Sequence, residues 1–332
     1  MFRVSEVSFI LLATGVGIAA GLVASLLGKL ARALQIVIYG LNNDSRLSSL
    51  TEIAPLRLLA LPLGGLLLGL GALYIHRRRA AVDVVEANAL HGGRIPARDT
   101  LMISAQTLLS NGCGASVGLE AAYAQSGGGI ASWLGQALRI RRADLRVLVG
   151  AGAGAAIAAA FGAPLAGAFY AFEIVIGAYT PASIAPVAAA TISAVITART
   201  LGATPYLIAA SSSRSITTAD YLLYAGFGLI AAIVGIVIMR LVSSVESWVR
   251  RSPLPEWSRP ALGGLLLMPV AWVTPHALSA GHGALHLTID AGLALHALVL
   301  IFVMKTLASV ISLGFGFRGG LFFASLFLGA LL

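Results

Sequence analysis

The chain has 332 residues, of which 58% are hydrophobic and 11% are charged, whereas soluble domains carry about 25% charged residues. This composition excludes a soluble enzyme, and the 38 glycines lack the three-residue period of collagen. The formal charge of +9 would favour nucleic acid as the partner of a soluble protein. Because the mean hydropathy is +0.92, we instead assign the arginines to the cytoplasmic ends of membrane spans and predict a polytopic membrane protein without a nucleic-acid partner.

Apolar stretches typical of membrane helices recur along the chain. They comprise residues 7–27, 58–75, 147–172, 174–198, 221–239 and 261–273. The first stretch lacks a strongly basic start, so we interpret it as a retained span rather than a secretion signal. Two further stretches, 291–304 and 319–332, are too short to cross the bilayer unaided. Because residues 326–332 end without a polar flank, we expect the last helix to be unfinished or the chain to be a fragment.

Two glycine-rich segments form an internal repeat. Residues 110–122 align with residues 312–324 at a constant offset of 202. Each copy is a glycine-rich approach followed by a helix that starts inside the membrane, a pattern typical of transporters with broken helices. We therefore predict a single transmembrane domain, in which a first repeat (about 1–200), a polar connector (about 204–220) and an incomplete second repeat (about 221–332) follow one another. The uncharged but polar stretch 101–119 is expected to line protein or water.

Two acidic residues lie outside span ends and polar loops, namely Glu120 and Glu173. A carboxylate within the bilayer is costly, so each is a functional hypothesis. Glu120 follows the first glycine-rich approach, and a carboxylate at a helix N-terminus occupies a position for which an anion would compete. Glu173 has two interpretations: a functional carboxylate, or a structural one that pairs with an arginine or with backbone amides.

The glycines of both repeats let the backbone approach a ligand and expose N–H groups at the start of the following helix. Two such helices directed at one point would bind an anion without a full positive charge. His282 and His286 lack a third ligand for a metal, and Ser116 and His296 show no pattern of a protease dyad. We therefore predict a transport protein with no catalytic residues, no metal and no cofactor.

Three segments resemble signatures of the CLC chloride channel and transporter family. Residues 118–125 are similar to the Gly-Arg-Glu-Gly-Pro signature and the helix after it. Residues 161–167, followed by Glu173, resemble the Asn-Ala-Pro-Leu-Ala-Gly segment and its acidic residues. Residues 305–324 resemble the segment that contains the Gly-Gly-Ile-Phe-Ala-Pro signature. The order and spacing of these segments match the family along the chain.

The resemblance implies an all-α polytopic membrane protein with an inverted repeat and broken, re-entrant helices. It also implies a homodimer in the inner cell membrane, with one anion pore in each subunit. Glu120 falls on the gating glutamate, whose carboxylate occupies the anion path and swings away. The anion-binding residues that the resemblance implies are Gly118, Leu119, Glu120, Gly320, Leu321 and Phe322.

The chain departs from the family pattern in three places. Residues 78–82 read Arg-Arg-Ala-Ala-Val where the family has Gly-Ser-Gly-Ile-Pro, so the serine that coordinates chloride is missing and Arg79 lies nearby. Ile174 occupies the position of the internal glutamate that relays protons in exchangers, which weakens the expectation of tight proton coupling. The chain also stops before the helix that supplies a pore tyrosine.

We therefore predict transport of chloride or a similar monovalent anion across the lipid bilayer through a pore gated by Glu120, with passive conduction slightly favoured. The first alternative is a proton-coupled antiporter, in which Glu173 is a candidate for the proton path. A further alternative is an organic-solute secondary transporter, although the sequence lacks the polar cluster that an organic substrate requires. The preference among chloride, fluoride and nitrate stays open.

Overall fold

The computed structural model describes residues 5–42, 45–76, 81–203, 217–285 and 293–332. Residues 78–80, most of the predicted connector and His286 lie outside the described residues. The helices that position the site are α1 (Glu6–Tyr39), α2 (Pro55–Leu58), α3 (Ala60–His76), α4 (Val84–Leu90), α5 (Ala97–Gly112), α6 (Glu120–Ala137), α7 (Arg142–Phe161), α8 (Pro164–Tyr170), α9 (Pro181–Thr200), α10 (Thr218–Arg251), α11 (Arg259–Val273), α12 (Leu295–Gly314) and α13 (Phe322–Leu331).

Six helical segments of the described residues are long and apolar enough to cross a membrane. They are Glu6–Tyr39, Pro55–Tyr74, Arg142–Phe161, Pro181–Thr200, Thr218–Arg251 and Leu295–Gly314. The all-α polytopic class predicted from composition and hydropathy is therefore confirmed.

The chain divides into two compact units. Unit 1 comprises Met1–Arg32, Arg78–Leu108 and Leu119–Tyr206, and unit 2 comprises Ala33–Arg77, Leu109–Gly118 and Leu207–Leu332. Within unit 1, α7 packs against α6, α8 and α9. Within unit 2, α11 packs against α3, and α12 packs against α10 and α11. Each unit thus joins segments that are distant in the sequence.

Two predicted spans are interrupted where composition alone indicated continuous helix. The stretch 147–172 is broken because Gly162 ends α7 in the left-handed conformation, with φ +67°, and Pro164 begins the next helix. The stretch 174–198 is broken in the same way by Gly177, with φ +72°. Apolar content predicted the membrane location of these stretches but not the turns within them.

Within the stretch 291–304, residues 295–304 belong to a longer helix than predicted. Helix α12 contains 20 residues and continues through Lys305, the charged residue at which the apolar stretch was taken to end. Lys305 is 0% exposed and donates hydrogen bonds to protein oxygens, so its charge does not require the helix to end there. The prediction that this segment is too short to span the membrane was wrong.

Glycines bring the helices of unit 1 into backbone contact. A Cβ atom at Gly127 or Gly152 would collide with the carbonyl oxygen of the other residue, and the same holds for Gly154 and Gly167. Such contacts between small residues are typical of membrane helix pairs. They hold α6 against α7, and α7 against α8, and so fix the helix that begins at Glu120 within unit 1.

Candidate functional site

Two loop–helix junctions share one backbone geometry at the 202-residue offset of the sequence repeat. The loop of each junction contains a glycine with φ +95°, Gly114 in the first and Gly316 in the second. The N-cap residues of the following helices also match: Leu119 has φ −92° and ψ 5°, and Leu321 has φ −108° and ψ 6°. Equivalent residues of the repeat therefore adopt equivalent conformations.

The two junctions are bonded to each other at Gly118 and Gly320. The Gly118 N–H donates to the Gly320 oxygen at 2.8 Å, and the Gly320 N–H donates to the Gly118 oxygen at 3.3 Å. The pair forms an isolated antiparallel bridge. The structure thus joins directly two of the glycines that the sequence assigned to anion binding.

A reciprocal pair of serine hydrogen bonds flanks this bridge, and we call it the serine clasp. The Ser110 hydroxyl accepts from the Arg318 N–H, and the Ser312 hydroxyl accepts from the Ser116 N–H, both at 2.9 Å. The partners exchange under the same offset of 202, so the clasp follows a local pseudo-twofold relation. Because Ser116 and Ser312 are fully buried, the bond between them satisfies a backbone N–H group inside the protein.

A buried lysine anchors the loop that leads to Gly118. The Lys305 ammonium donates to the Ser116 hydroxyl at 2.9 Å, to the Ala277 oxygen at 3.2 Å and to the Ser279 oxygen at 2.6 Å. Hydrogen bonds from a charged donor are stronger than neutral ones. Lys305 was not among the site residues predicted from the sequence, although an ionisable side chain within an apolar segment is itself a functional signal.

Polar side chains complete the support of this loop. The Asn111 amide nitrogen donates to the Val117 oxygen at 2.8 Å and to the Ser279 hydroxyl at 3.1 Å. The Gln35 amide nitrogen donates to the Asn111 side-chain oxygen at 3.1 Å. The stretch 101–119 was expected to line protein or water, and at these residues the polar groups bond to protein.

Glu120 is the first residue of α6, and its side chain is 6% exposed. The N-cap Leu119 makes no side-chain hydrogen bond to the first turn. The backbone amides of a helix N-terminus, together with the helix dipole, favour a negative charge. The Tyr170 phenol lies within electrostatic range of the Glu120 carboxylate. The position of Glu120 is thus suited to a carboxylate that competes with an anion, and its gating role stays a prediction.

The second junction offers the same type of helix start. Helix α13 begins at Phe322, and its N-cap Leu321 makes no side-chain hydrogen bond. Phe322 is 46% exposed, whereas Phe323 is 1% exposed. Leu321 and Phe322 therefore lie where backbone amides point out of a helix N-terminus. Their binding of an anion stays a prediction.

Glu173 is an exposed residue of a short π-helical segment, Ala171–Ile176. Its carboxylate accepts a hydrogen bond from the Tyr179 hydroxyl at 2.6 Å, and this bond raises the pKa of Tyr179 above its ordinary value. Ile174, at the predicted relay position, is 50% exposed. The place of Glu173 on a proton path stays a prediction.

The profile of the voltage gated chloride channel family matches residues 64–332. The chain belongs to this family, the CLC family. A ClcB-like protein of Ralstonia nicotianae, named for chloride channels, is 34% identical over 283 residues, which cover 83% of this chain and 66% of that protein. A chloride/fluoride channel protein of Pseudomonas syringae pv. tomato is 30% identical over 331 residues, which cover 94% of this chain and 70% of that protein.

Two solved structures share the fold of this CLC chain. A slow cyanobacterial Cl⁻/H⁺ antiporter matches with a TM-score of 0.79 and 22% identity, over 95% of this chain and 75% of that chain. A CLC-type fluoride/proton antiporter matches with a TM-score of 0.80 and 22% identity, over 96% of this chain and 78% of that chain. The CLC-like fold that the signature segments implied is confirmed.

Proposed function

We propose that this chain transports chloride, or a similar monovalent anion, across the membrane through a pore gated by Glu120. The observation that carries the proposal is the pair of equivalent loop–helix junctions, bonded at Gly118 and Gly320 and each followed by a helix N-terminus. Backbone amides at such ends bind an anion without a full positive charge, so the ion can leave as readily as it enters. Relatives named for chloride and for chloride and fluoride support this cargo.

We favour passive conduction by a homodimer in the inner membrane of a bacterial cell. The aliphatic side chain of Ile174 cannot carry a proton at the position where exchangers of the family have a glutamate. Glu173, its neighbour, is exposed and bonded to Tyr179. Tight proton coupling through the usual internal carboxylate is therefore not expected.

Proton-coupled exchange is the second candidate. Both solved structures with this fold that are described above are named as antiporters. In an exchanger, Glu120 would bind the transported proton on one side of the anion site, and the Glu173–Tyr179 pair would supply a hydrogen-bonded group elsewhere on the path. This candidate predicts that Glu173→Gln abolishes proton movement and spares anion flux.

Flux from proteoliposomes distinguishes the candidates. Vesicles loaded with chloride are monitored with chloride and pH electrodes, with and without the potassium ionophore valinomycin. Passive conduction predicts chloride release that depends on valinomycin and no uphill proton movement. Exchange predicts that the chloride gradient drives protons uphill. If no chloride leaves these vesicles, and no fluoride leaves vesicles loaded with fluoride instead, the proposal of anion transport is wrong.

A further inference from the structure

A cavity of about 660 Å³ opens in unit 1 where α6 ends and α7 begins. We call it the basic pocket. Its described lining residues are His91, Gly92, Arg94, Gly135, Gln136, Arg139, Ile140, Arg142 and Leu145. The lining thus includes three arginines and, among the residues that the structure describes, no carboxylate.

The three arginines that line the basic pocket are exposed. Within the described part of the chain, Arg94, Arg139 and Arg142 form no ion pair. Like charges around one cavity repel each other and raise the local concentration of anions. The charge of the basic pocket is therefore available to a ligand.

A hydrogen-bonded turn fixes one wall of the basic pocket to α6. The Ser132 hydroxyl donates to the Gly93 oxygen at 2.7 Å and accepts from the Ile95 N–H at 2.8 Å. The Gln136 amide nitrogen donates to the Ser132 hydroxyl at 3.0 Å. The backbone that carries Arg94 is therefore held in place before any ligand binds.

Two residues with positive φ, Arg139 and Gly92, help to position the other two arginines. Arg139 has φ +50° at the C-terminal end of α6, a position that glycine usually occupies. Gly92 has φ +63°, and a Cβ atom there would collide with the Arg142 side chain. A bulky residue held in the left-handed region costs energy and therefore raises the hypothesis of a function.

The basic pocket lies at the polar end of a membrane span. Helix α7, a candidate span, begins at Arg142. Trp133, one turn before Gln136 on α6, is 64% exposed, and tryptophan is enriched at the head-group level of membranes. Arginines concentrate on the cytoplasmic side. These features predict that the basic pocket lies beside the head groups of the inner leaflet.

We propose that the basic pocket binds the phosphate of an anionic phospholipid at the cytoplasmic surface. Arginine presents paired N–H donors that match phosphate oxygens. Basic pockets between membrane helices on this side are suited to the head groups of lipids such as cardiolipin. The basic pocket is separate from the Glu120 junction in the sequence. Its test measures lipid binding, so the test does not depend on anion flux.

The test is native mass spectrometry of the purified protein, titrated with cardiolipin and, in parallel, with phosphatidylcholine. Substituting Arg94, Arg139 and Arg142 together by Gln should weaken cardiolipin binding roughly a hundredfold, since each arginine near an anionic lipid contributes about fivefold. Phosphatidylcholine binding should not change. Arg139→Gly supplies a second variant. It removes a charge and introduces glycine, the residue favoured at a positive φ after a helix end. It should weaken binding without lowering the thermal unfolding temperature.

A matched control removes three exposed arginines outside the basic pocket, by Arg199→Gln, Arg240→Gln and Arg251→Gln, and should retain wild-type affinity. Equal cardiolipin binding by the triple variant and the wild type would overturn the proposal, as would an equal loss in the control. Inorganic pyrophosphate tests the source of the phosphate. Displacement of cardiolipin by pyrophosphate supports phosphate recognition, whereas pyrophosphate binding without any cardiolipin binding would overturn the assignment to lipid.

Discussion

Glu120 combines burial, a carboxyl group and the first position of a helix. Glutamine has nearly the same shape but neither competes as an anion nor titrates. We therefore expect Glu120→Gln to raise anion flux at neutral pH several-fold and to remove its dependence on pH. Proteoliposome flux measured from about pH 3.5 to about pH 7.5, on both sides of the ordinary glutamate pKa of about 4.3, checks this expectation.

The control for the gate is Glu256→Gln, because Glu256 is an exposed carboxylate in the loop before α11. Its substitution should leave both the flux and the pH dependence unchanged. An unchanged pH profile in Glu120→Gln would show that another group gates the pore.

Lys305 carries a charge where the protein provides three oxygen acceptors and no solvent contact. Lys305→Met keeps the apolar stem but leaves the Ala277 and Ser279 oxygens without this donor. We expect the free energy of unfolding to fall by about 3 kcal/mol, the range for losing hydrogen bonds to a buried charged group. Denaturant titration in detergent measures the change.

Lys29 offers a matched control because it is exposed on α1. Lys29→Met should change the free energy of unfolding by no more than about 0.5 kcal/mol. If Lys305→Met is equally neutral, the three hydrogen bonds do not stabilise the loop.

Glu120 is predictable from the sequence, whereas the role of Lys305 is not, for a physical reason. The function of Glu120 follows from its immediate neighbours, the glycines and the helix that starts there. The acceptors of Lys305 lie 26, 28 and 189 residues away in the chain. Only the folded backbone brings such groups together.

At the scale of elements, the two loops with φ +95° require glycine at equivalent positions. In Gly316→Ala, a new Cβ meets only Pro260 at 3.6 Å, so the cost is backbone strain of about 1–2 kcal/mol. In Gly114→Ala, the Cβ would also press on the Tyr39 hydroxyl, which donates to the Cys113 oxygen at 2.6 Å. We expect Gly114→Ala to be the more destabilising of the two when unfolding is measured in detergent.

Gly71→Ala is the control for these loops. Gly71 lies within α3, and no atom lies within 4 Å of a Cβ built there. Alanine should therefore stabilise the helix by up to about 1 kcal/mol. Equal stability of Gly316→Ala and Gly71→Ala would contradict the requirement for glycine in the loop.

Apolar content predicted where the helices lie more reliably than it predicted where they end. The six candidate spans overlap predicted apolar stretches, because hydrophobicity determines what can lie in lipid. The breaks at Gly162 and Gly177 depend on single left-handed residues, which scarcely change the composition of a stretch. The repeat at an offset of 202 identified both junctions, but their mutual bonding at Gly118 and Gly320 required the fold.

At the scale of the whole molecule, the sequence cannot show which distant segments pack together. Unit 2 combines Ala33–Arg77 and Leu109–Gly118 with the last third of the chain. The loop before Glu120 is therefore supported by α12, although about 190 residues separate Ser116 from its partners on that helix. Local sequence patterns contain no information on contacts between segments that lie so far apart in the chain.

The distribution of arginines over the molecule predicts its orientation in the membrane. Six arginines lie in or beside the connections that precede α5 and α7, namely Arg94, Arg98, Arg139, Arg141, Arg142 and Arg146. Short loops rich in arginine stay on the cytoplasmic side. We therefore expect a cysteine at position 141, an exposed residue, to react with a membrane-impermeant maleimide in inside-out vesicles and not in intact cells.

The protein is well suited to this labelling because Cys113 is its single cysteine and is buried. Cys113→Ala provides a cysteine-free background, and Arg141→Cys is then introduced alone. The cysteine-free protein should give no signal in either preparation. Labelling of Arg141→Cys in intact cells would contradict the predicted orientation, and it would also contradict the placement of the basic pocket beside the inner leaflet.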